Sequence, residues 1–405
     1  MQASELYDIL KRGEDSTTHQ FKSNVTSPNA VAAEMVAFSN TQGGMLILGV
    51  DDTGNVLGID PDEVTRLNML ISNSAANHVK NPINPITENL MIDGKLVMLI
   101  HVKEGLDKPY MDNQGIIWVK SGADKRKVTS KEELRRLFQS SGLIYADEML
   151  IQGAGMQAIN KEKFARYFEK AYNMTVEETG VQFDTLFENL HLARGGILNM
   201  AGLLLFAKTP SRWKPMCMIK AVSFWGNSIG GTEYRDSEDI EGTLDEQFAN
   251  GMGFLLRNLK KTQQGQDFNS LGILEVSKIA LQELLQNALI HRDYFKSAPI
   301  RALIFDNRIE IINPGTLPNS LTIENIRYGN SAIRNPIIAS FAAKMLPYRG
   351  LGSGIIRALR EQPNISFEED RAGEQFKVII PRPEEMNRSF SAPTAGSYTL
   401  GLINL

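Results

Sequence analysis

A glycine-rich loop near the C-terminal end of the chain has the residue types for binding phosphate. Gly350, Gly352 and Gly354 alternate with other residues, and the helix-like segment 355–360 follows directly. A loop that leads into a helix N-terminus places free backbone N–H groups and the positive end of the helix dipole beside a bound anion. Glycine loops also occur wherever a chain turns sharply, so phosphate binding and a plain turn are both open at this point.

An upstream helical segment carries polar side chains that could complete such a site. Glu283, Asn287 and His291 recur at four-residue intervals within residues 281–293, so they lie along one line of a helix. The opposite side of this helix is apolar and is expected to face a core. An amphipathic helix with its polar side in solvent satisfies the same pattern. A single histidine at a helix end is typical of a structural role, so His291 is not a catalytic candidate.

The ordered combination resembles a known superfamily. Glu283 and Asn287, followed by residues 313–315 and the glycine loop, resemble the GHKL ATPases of gyrase, Hsp90 and histidine kinases. This resemblance implies ATP and Mg²⁺ as cofactors. It also implies that Asn287 ligates the Mg²⁺ and that Glu283 orients the attacking water. An amide oxygen suits a partly hydrated Mg²⁺, and a carboxylate one turn away can accept a proton from water.

Residues 285–294, 308–318 and 352–355 carry a closer resemblance. It covers residues 274–381 and concerns bacterial proteins described as RecG-like transcriptional regulators. Asn313 stands where the wider superfamily has an aspartate that accepts a hydrogen bond from the adenine amino group. Its amide oxygen can also accept, whereas its NH₂ suits a different ring edge. Arg292 is assigned a phosphate contact or a structural ion pair. The predicted cofactor-binding residues are Asn287, Arg292, Asn313, Gly315, Gly350, Gly352, Ser353 and Gly354.

The N-terminal third resembles the Schlafen-type, AlbA-like domain in residues 20–22, 37–44 and 48–59. The resemblance covers residues 5–138 and implies nucleic-acid binding, sometimes elaborated into a metal-dependent RNase. Acidic side chains slightly outnumber basic ones here, so binding must come from a local patch. The candidate contacts are Lys22, Lys120, Lys125, Arg126 and Lys127. A basic run of this kind is also typical of a solvated loop.

The elements that must position these residues are readable from caps, turns and periodicity. Ser27 and Pro28 predict a helix start, and residues 45–50 and 55–59 predict a strand and a returning strand. Further helices are predicted at 61–79, 131–138, 164–172, 199–206 and 274–290, and strands at 96–102, 116–120, 216–225, 300–305 and 309–312.

This mixture predicts an α+β protein with an AlbA-like domain, a middle α/β segment and a C-terminal GHKL-like α/β sandwich. The predicted division is 1–142, 143–268 and 269–385, followed by a tail at 386–405. Residues 263–267 are polar enough to be a linker or an exposed loop.

The composition limits the classes of function. A formal net charge of −4 over 405 residues gives no general attraction to nucleic acid or to an acidic membrane. The single cysteine, Cys217, excludes an internal disulfide framework and a cysteine-based zinc site. No segment has the length of a membrane span, and the first residues lack the pattern of a signal peptide, so we expect a cytoplasmic protein without a membrane partner. The chain contains no Gly-x-x-x-x-Gly-Lys-Ser/Thr loop, so a translocating helicase is not expected.

Three hypotheses follow. The leading one is a DNA-binding transcriptional regulator, with DNA preferred over RNA as partner, whose binding or homo-oligomeric assembly depends on ATP and which is at most a weak Mg²⁺-dependent ATPase. The second is a Schlafen-type nuclease or defence protein gated by ATP. It ranks lower because Gln20 stands where nuclease members usually have glutamate, and an amide is a poorer metal ligand. The third is a catalytically inactive scaffold.

Overall fold

The computed structural model describes residues 3–12, 17–230, 233–262, 272–318, 321–348, 350 and 352–383. The predicted loop at 263–267 and the tail at 386–405 lie outside these residues. The N-terminal module consists of α1 (Ala3–Arg12), β1 (His19–Lys22), α2 (Pro28–Asn40), β2 (Gly44–Leu48), α3 (Val64–Asn77), β3 (Val79–Lys80), β4 (Ile86–Ile92), β5 (Lys95–Val102), β6 (Met111–Asp112), β7 (Trp118–Ser121), β8 (Asp124–Lys127) and α4 (Lys131–Ser140).

The main sheet of this module has the order β1-β2-β5-β4, with β1 parallel to β2 and the other pairs antiparallel. Side chains alternate between its two faces along β5. Val97 and Leu99 join the core under α1, whereas Met98 and Ile100 join the core under α2 and α3. Helix α2 begins as predicted, with Ser27 Oγ accepting a hydrogen bond from the backbone N–H of Ala30.

The predicted hairpin after β2 is only partly correct. Asp51 makes the expected turn, and its Oδ1 accepts from the backbone N–H groups of Thr53 and Asn55. Residues 55–59 nevertheless form no strand, because they make only the isolated bridges Val50–Val56 and Ile59–Leu96. Both edges of β2 are already taken by β1 and β5, so no edge remains for a returning strand.

The rest of the chain continues with further helices and strands. They are β9 (Leu150–Gly155), α5 (Lys161–Tyr172), α6 (Phe183–Asn189), β10 (Ala193–Arg194), β11 (Ile197–Asn199), α7 (Met200–Phe206), β12 (Ile219–Phe224), β13 (Tyr234–Ile240), α8 (Leu244–Arg257), β14 (Lys261–Thr262), β15 (Ile273–Leu274), α9 (Lys278–His291), β16 (Ile300–Ile304), β17 (Arg308–Pro314), α10 (Ile323–Arg327), α11 (Pro336–Met345), α12 (Ser353–Glu361), β18 (Ser366–Asp370) and β19 (Gln375–Pro381).

A six-stranded sheet with the order β13-β12-β16-β17-β19-β18 supports the C-terminal half. Strand β12 lies parallel to β16, with Ile219 opposite Ile300. The sheet therefore continues across the division predicted at residue 268, and β12 and β13 belong to the same layer as the later strands. One apolar core runs from Ala146 to Ile380, and helices α8 and α12 both pack against α9.

The structure confirms an α+β fold with several sheets. Helix α4 belongs to the N-terminal module, because its Leu137 packs with Ile117 and Val119 in a small separate core. In the described part of the chain, no helix is long and apolar enough to cross a membrane.

Candidate nucleotide site and nucleic-acid face

Helix α9 presents the predicted polar line to a cavity. The helix begins at the cap Ser277, whose Oγ accepts from the backbone N–H of Ala280, and its leucines fill the core on the other side. Glu283, Asn287 and His291 all line the cavity. Glu283 is only 5% exposed, which excludes a polar line that merely faces solvent.

The cavity collects residues that are far apart in sequence. Helix α9 forms one wall, and the end of β17 with the following loop, residues 330–334 and the start of α12 form the others. Of the predicted residues of the C-terminal site, those that line the cavity are Glu283, Asn287, Asn313, Gly315, Gly350, Gly352, Ser353 and Gly354. The fold therefore brings the glycine loop and the polar line of α9 together, which the sequence alone left open.

Two glycines of the loop are required by close approaches. Gly352 has φ +69°, and a Cβ on it would lie 2.1 Å from the carbonyl oxygen of Gly329. A Cβ on Gly354 would lie 2.7 Å from Glu283 Oε2 and 3.2 Å from Asn287 Nδ2. The absence of side chains thus lets the first turn of α12 approach the polar line directly. The first N–H groups of a helix have no partner within the helix, so this turn is suited to an anion in the cavity.

Each oxygen of the Glu283 carboxylate has a partner. Its Oε1 lies 2.6 Å from Arg357 Nη2 on α12, and its Oε2 accepts from Gln286 Nε2 at 2.7 Å. Arg357 is not among the residues that the sequence predicts for this site. The signal was available, because Arg357 follows Ser353 by four residues and so lies on the same line of its helix.

Asn313, another residue that lines the cavity, has an unused acceptor. Its Oδ1 is buried, and within the described residues no donor reaches it. Buried polar atoms are normally hydrogen-bonded, so this oxygen is suited to a ligand donor such as an exocyclic amino group. Gly315 follows with φ +102°, and a side chain there would collide with Arg334 and Asp293.

His291 and Arg334 also line the cavity. Burial and, to a smaller extent, the charge of Arg334 lower the pKa of His291 to about 4, so its ring is neutral at pH 7. Arg334 Nη2 donates to the carbonyl of Thr316 at 2.7 Å. Arg334 had no signal in spacing or motif, because only the fold places it against the loop after β17.

The structure corrects the prediction for Arg292. This side chain is 1% exposed and does not line the cavity. Its Nη2 donates to the carbonyls of Met216, Lys296 and Ala298. A buried guanidinium that donates to three backbone carbonyls holds the loop after α9 in place, away from the cavity.

The candidate nucleic-acid contacts divide into buried and accessible side chains. The prediction that Lys120 contacts nucleic acid is wrong. Its side chain is completely buried, and its Nζ donates to Gln20 Oε1 at 2.6 Å and to the Ala123 carbonyl at 2.9 Å. An ammonium group enclosed in this way cannot reach a phosphate. The same contact occupies the oxygen of Gln20, at the position where nuclease members usually have a carboxylate.

The other four basic residues are more accessible. Lys125 Nζ lies 2.6 Å from Glu34 Oε1, and Arg126 makes a two-pronged contact with Glu133 at 2.7 and 2.9 Å. Lys127 is exposed, with its ammonium 5.5 Å from the centre of the Trp118 ring. Lys22 is half-buried at the end of β1 and lines a surface cavity together with Lys125 and Trp118.

Comparisons with known families agree with the two-module organisation. Residues 15–129 match the family described as "Schlafen, AlbA_2", and residues 297–380 match the family described as "Putative ATP-dependent DNA helicase recG C-terminal". The chain thus contains a Schlafen/AlbA-like domain and a RecG-like C-terminal domain. These families suggest nucleic-acid binding by the first and nucleotide binding by the second.

Solved structures with a likeness to the chain include the DIP2311 protein from Corynebacterium diphtheriae. It is 20% identical, and the alignment covers 94% of this chain and 80% of that one with a TM-score of 0.45. Another is the N-terminal domain of a "putative ATP-dependent DNA helicase RecG-related protein" from Nitrosomonas europaea, 26% identical over 32% of this chain and 92% of that one, with a TM-score of 0.24. A comparison with curated proteins gives no match.

Proposed function

We propose that this protein is a DNA-binding transcriptional regulator whose C-terminal module is a GHKL-type site for Mg²⁺-ATP. The nucleotide state modulates nucleic-acid binding or homo-oligomeric assembly. The observation that carries the proposal is the meeting of α9 and the glycine loop in one cavity, where a Cβ on Gly354 would touch both Glu283 and Asn287. A phosphate chain fits the N-terminus of α12, because free backbone N–H groups are concentrated there.

The polar groups of the cavity suit the parts of the nucleotide. The phosphates lie at Gly350, Gly352, Ser353 and Gly354, and the base lies toward Asn313 and Gly315. The unpartnered Oδ1 of Asn313 accepts from the amino group of adenine. The neutral ring of His291 lines the same cavity without adding a charge.

Asn287 is the residue that would hold Mg²⁺. Its amide is half-buried, borders the glycine loop and lies beside the proposed phosphate position. One amide oxygen together with phosphate oxygens and waters is a suitable ligand set for this cation. When bound, Mg²⁺ would neutralise part of the phosphate charge. Glu283 is the residue proposed to orient water in a weak ATPase reaction.

The nucleic-acid role rests on the N-terminal family match and on accessible cations. Lys22 and Lys125 line one surface cavity with Trp118, and the ammonium of Lys127 lies near the ring of the same Trp118. These residues form the proposed contact surface. The ion pairs of Lys125 and Arg126 reduce their electrostatic contribution, so binding should be modest and salt-dependent.

Calorimetric titration with Mg²⁺-ATP tests the nucleotide site. The full chain and its Glu283→Gln variant should bind, because glutamine keeps the shape and one acceptor, whereas Asn287→Ala should weaken binding about tenfold or more through loss of a metal ligand. DNA affinity is then measured with and without nucleotide by fluorescence anisotropy. Failure of the wild-type chain to bind any adenine nucleotide would overturn the proposal and leave the inactive scaffold. Binding that Asn287→Ala leaves unchanged would overturn the assignment of the metal ligand.

A further inference from the structure

The ion pair between Glu283 and Arg357 sits at the boundary of two cavities. Both side chains line the proposed nucleotide cavity, and both also line a second cavity, together with Gln282, Tyr348 and Arg360. The pair therefore forms part of the wall between the phosphate end of the nucleotide site and the second cavity.

Arg357 has unused hydrogen-bonding capacity at this position. One nitrogen, Nη2, contacts Glu283 Oε1 at 2.6 Å, while its Nε is buried and, within the described residues, meets no acceptor. The planar guanidinium can bind phosphate through two parallel N–H groups, so a second anion at this place would find donors ready.

The position on α12 sets which phosphate Arg357 can reach. Ser353 and Gly354 form the first turn of the helix, and Arg357 lies one turn, about 5.4 Å, further along the same face. A phosphate chain that starts at the glycine loop and extends along this face meets Arg357 at its far end. The far end is the γ-phosphate, which ADP lacks.

We propose that Arg357 senses the γ-phosphate by exchanging its partner from Glu283 to the nucleotide. This inference rests on the proposed nucleotide site and deepens it. In the structure described here the cation neutralises Glu283. A bound triphosphate offers a more highly charged anion to the same guanidinium, so Arg357 leaves the carboxylate and Glu283 becomes available to water. A diphosphate does not reach Arg357, and the ion pair stays closed.

Because Glu283 and the γ-phosphate compete for Arg357, substitutions of Glu283 and of Arg357 should change the preference for triphosphate in opposite directions. Arg357→Gln removes the sensor, so the preference for triphosphate over diphosphate should fall about tenfold, as expected for loss of a charge-assisted hydrogen bond. Glu283→Gln removes the competing anion, so the same preference should rise several-fold. Arg357→Lys keeps the charge without the planar fork and should restore the preference in part. A purely structural ion pair would change the affinities for both nucleotides equally.

The experiment is a calorimetric titration of the full chain with Mg²⁺-ADP and with a non-hydrolysable Mg²⁺-ATP analogue. Arg360→Gln is the matched control, because Arg360 lies on the same helix and borders only the second cavity. The measured quantity is the ratio of the affinity for the ATP analogue to the affinity for ADP. A lower ratio in Arg357→Gln with unchanged ADP affinity, and a higher ratio in Glu283→Gln, would support the sensor. An unchanged ratio in both variants would overturn it while leaving the nucleotide site intact. If Arg357→Gln does not fold, Glu283→Gln decides alone. Absence of binding by the wild-type chain would instead overturn the proposed function and this inference with it.

Discussion

The side-chain amide of Gln139 donates a hydrogen bond to Asp293 Oδ1 at 3.2 Å, which joins the last helix of the N-terminal module to the segment after α9. Asp293 in turn donates its backbone N–H to the carbonyl of Pro314, directly before Gly315 at the proposed base end of the cavity. A second contact, between Arg136 and Glu374, lies beside the first. The two modules therefore touch next to the proposed nucleotide site.

This contact predicts that Gln139→Ala weakens the coupling between nucleotide binding and DNA binding. Nucleotide affinity should change less than about twofold, because Gln139 lies outside the proposed site. The effect of nucleotide on DNA affinity should shrink, because the substitution removes a contact between the modules. Coupling free energies between two sites are typically about 1–3 kcal/mol. The check is anisotropy with labelled DNA, with and without Mg²⁺-ATP. Gln114→Ala, in an exposed turn of the same module, is the control, and equal coupling in both variants would contradict the prediction.

Gly354→Ala should weaken nucleotide binding about tenfold or more. The added methyl would lie 2.7 Å from Glu283 Oε2, and this carboxylate cannot simply move away because Arg357 and Gln286 hold it. Overpacking of this kind costs about 1–3 kcal/mol. Gly253→Ala is the matched control, because a Cβ there meets no atom within 4 Å and should stabilise α8 by up to about 1 kcal/mol. Calorimetry and thermal unfolding of both variants give the comparison; wild-type nucleotide affinity in Gly354→Ala would count against the site.

Local signals account for what could be predicted from the sequence. The cap at Ser27, the four-residue spacing on α9 and the step from glycines into α12 each depend on a few neighbouring residues. Such patterns give the start and face of a helix directly, and they also gave the polar line of α9 and the glycine loop that border the cavity.

The features that could not be predicted depend on contacts between distant segments. The parallel pairing of β12 with β16 joins residues about eighty positions apart, and no local pattern encodes it. The same applies to the choice of β1 and β5 as partners of β2. Charge alone was also a poor guide, because the structural Arg292 and the cavity residue Arg334 are the same residue type and differ only in what the fold places around them.

Asp147 predicts a specific pH dependence of stability. Its side chain is fully buried, its Oδ2 accepts from the backbone N–H groups of Ile337 and Ile338 at the start of α11, and burial raises its pKa to about 6. The folded state therefore holds the proton more tightly than the unfolded state. The contribution of protonated Asp147 to the free energy of unfolding is complete below about pH 4. It is lost as the pH rises through 6, by roughly 3 kcal/mol in total.

Asp147→Asn should remove this dependence, because the amide does not titrate. The difference in unfolding free energy between wild type and variant should fall from pH 4 to pH 7, measured by urea denaturation at each pH. The pKa of His291 is lowered, so its contribution to the free energy of unfolding rises with pH, which is the opposite sign. This contribution is the same in wild type and variant and cancels in the difference. A constant difference across this range would mean that Asp147 titrates at its ordinary value.

Lys120 and Lys127 should respond differently to neutralisation, although both lie in the basic segment of the N-terminal module. Lys127→Gln removes an exposed cation, so it should weaken DNA binding and lower the slope of log affinity against log salt by about 0.9. Lys120→Met removes a buried donor to Gln20 and leaves Glu34 with fewer partners, so it should reduce the unfolding free energy by about 1–3 kcal/mol and leave the salt slope unchanged. Anisotropy with labelled DNA at about 50 to 200 mM salt gives the salt slope of the affinity. Thermal unfolding gives the change in stability, so the two measurements separate the two effects. If Lys120→Met lowered the salt slope without loss of stability, the buried position of Lys120 would have to be reconsidered, because only a cation that reaches phosphate releases counterions from DNA.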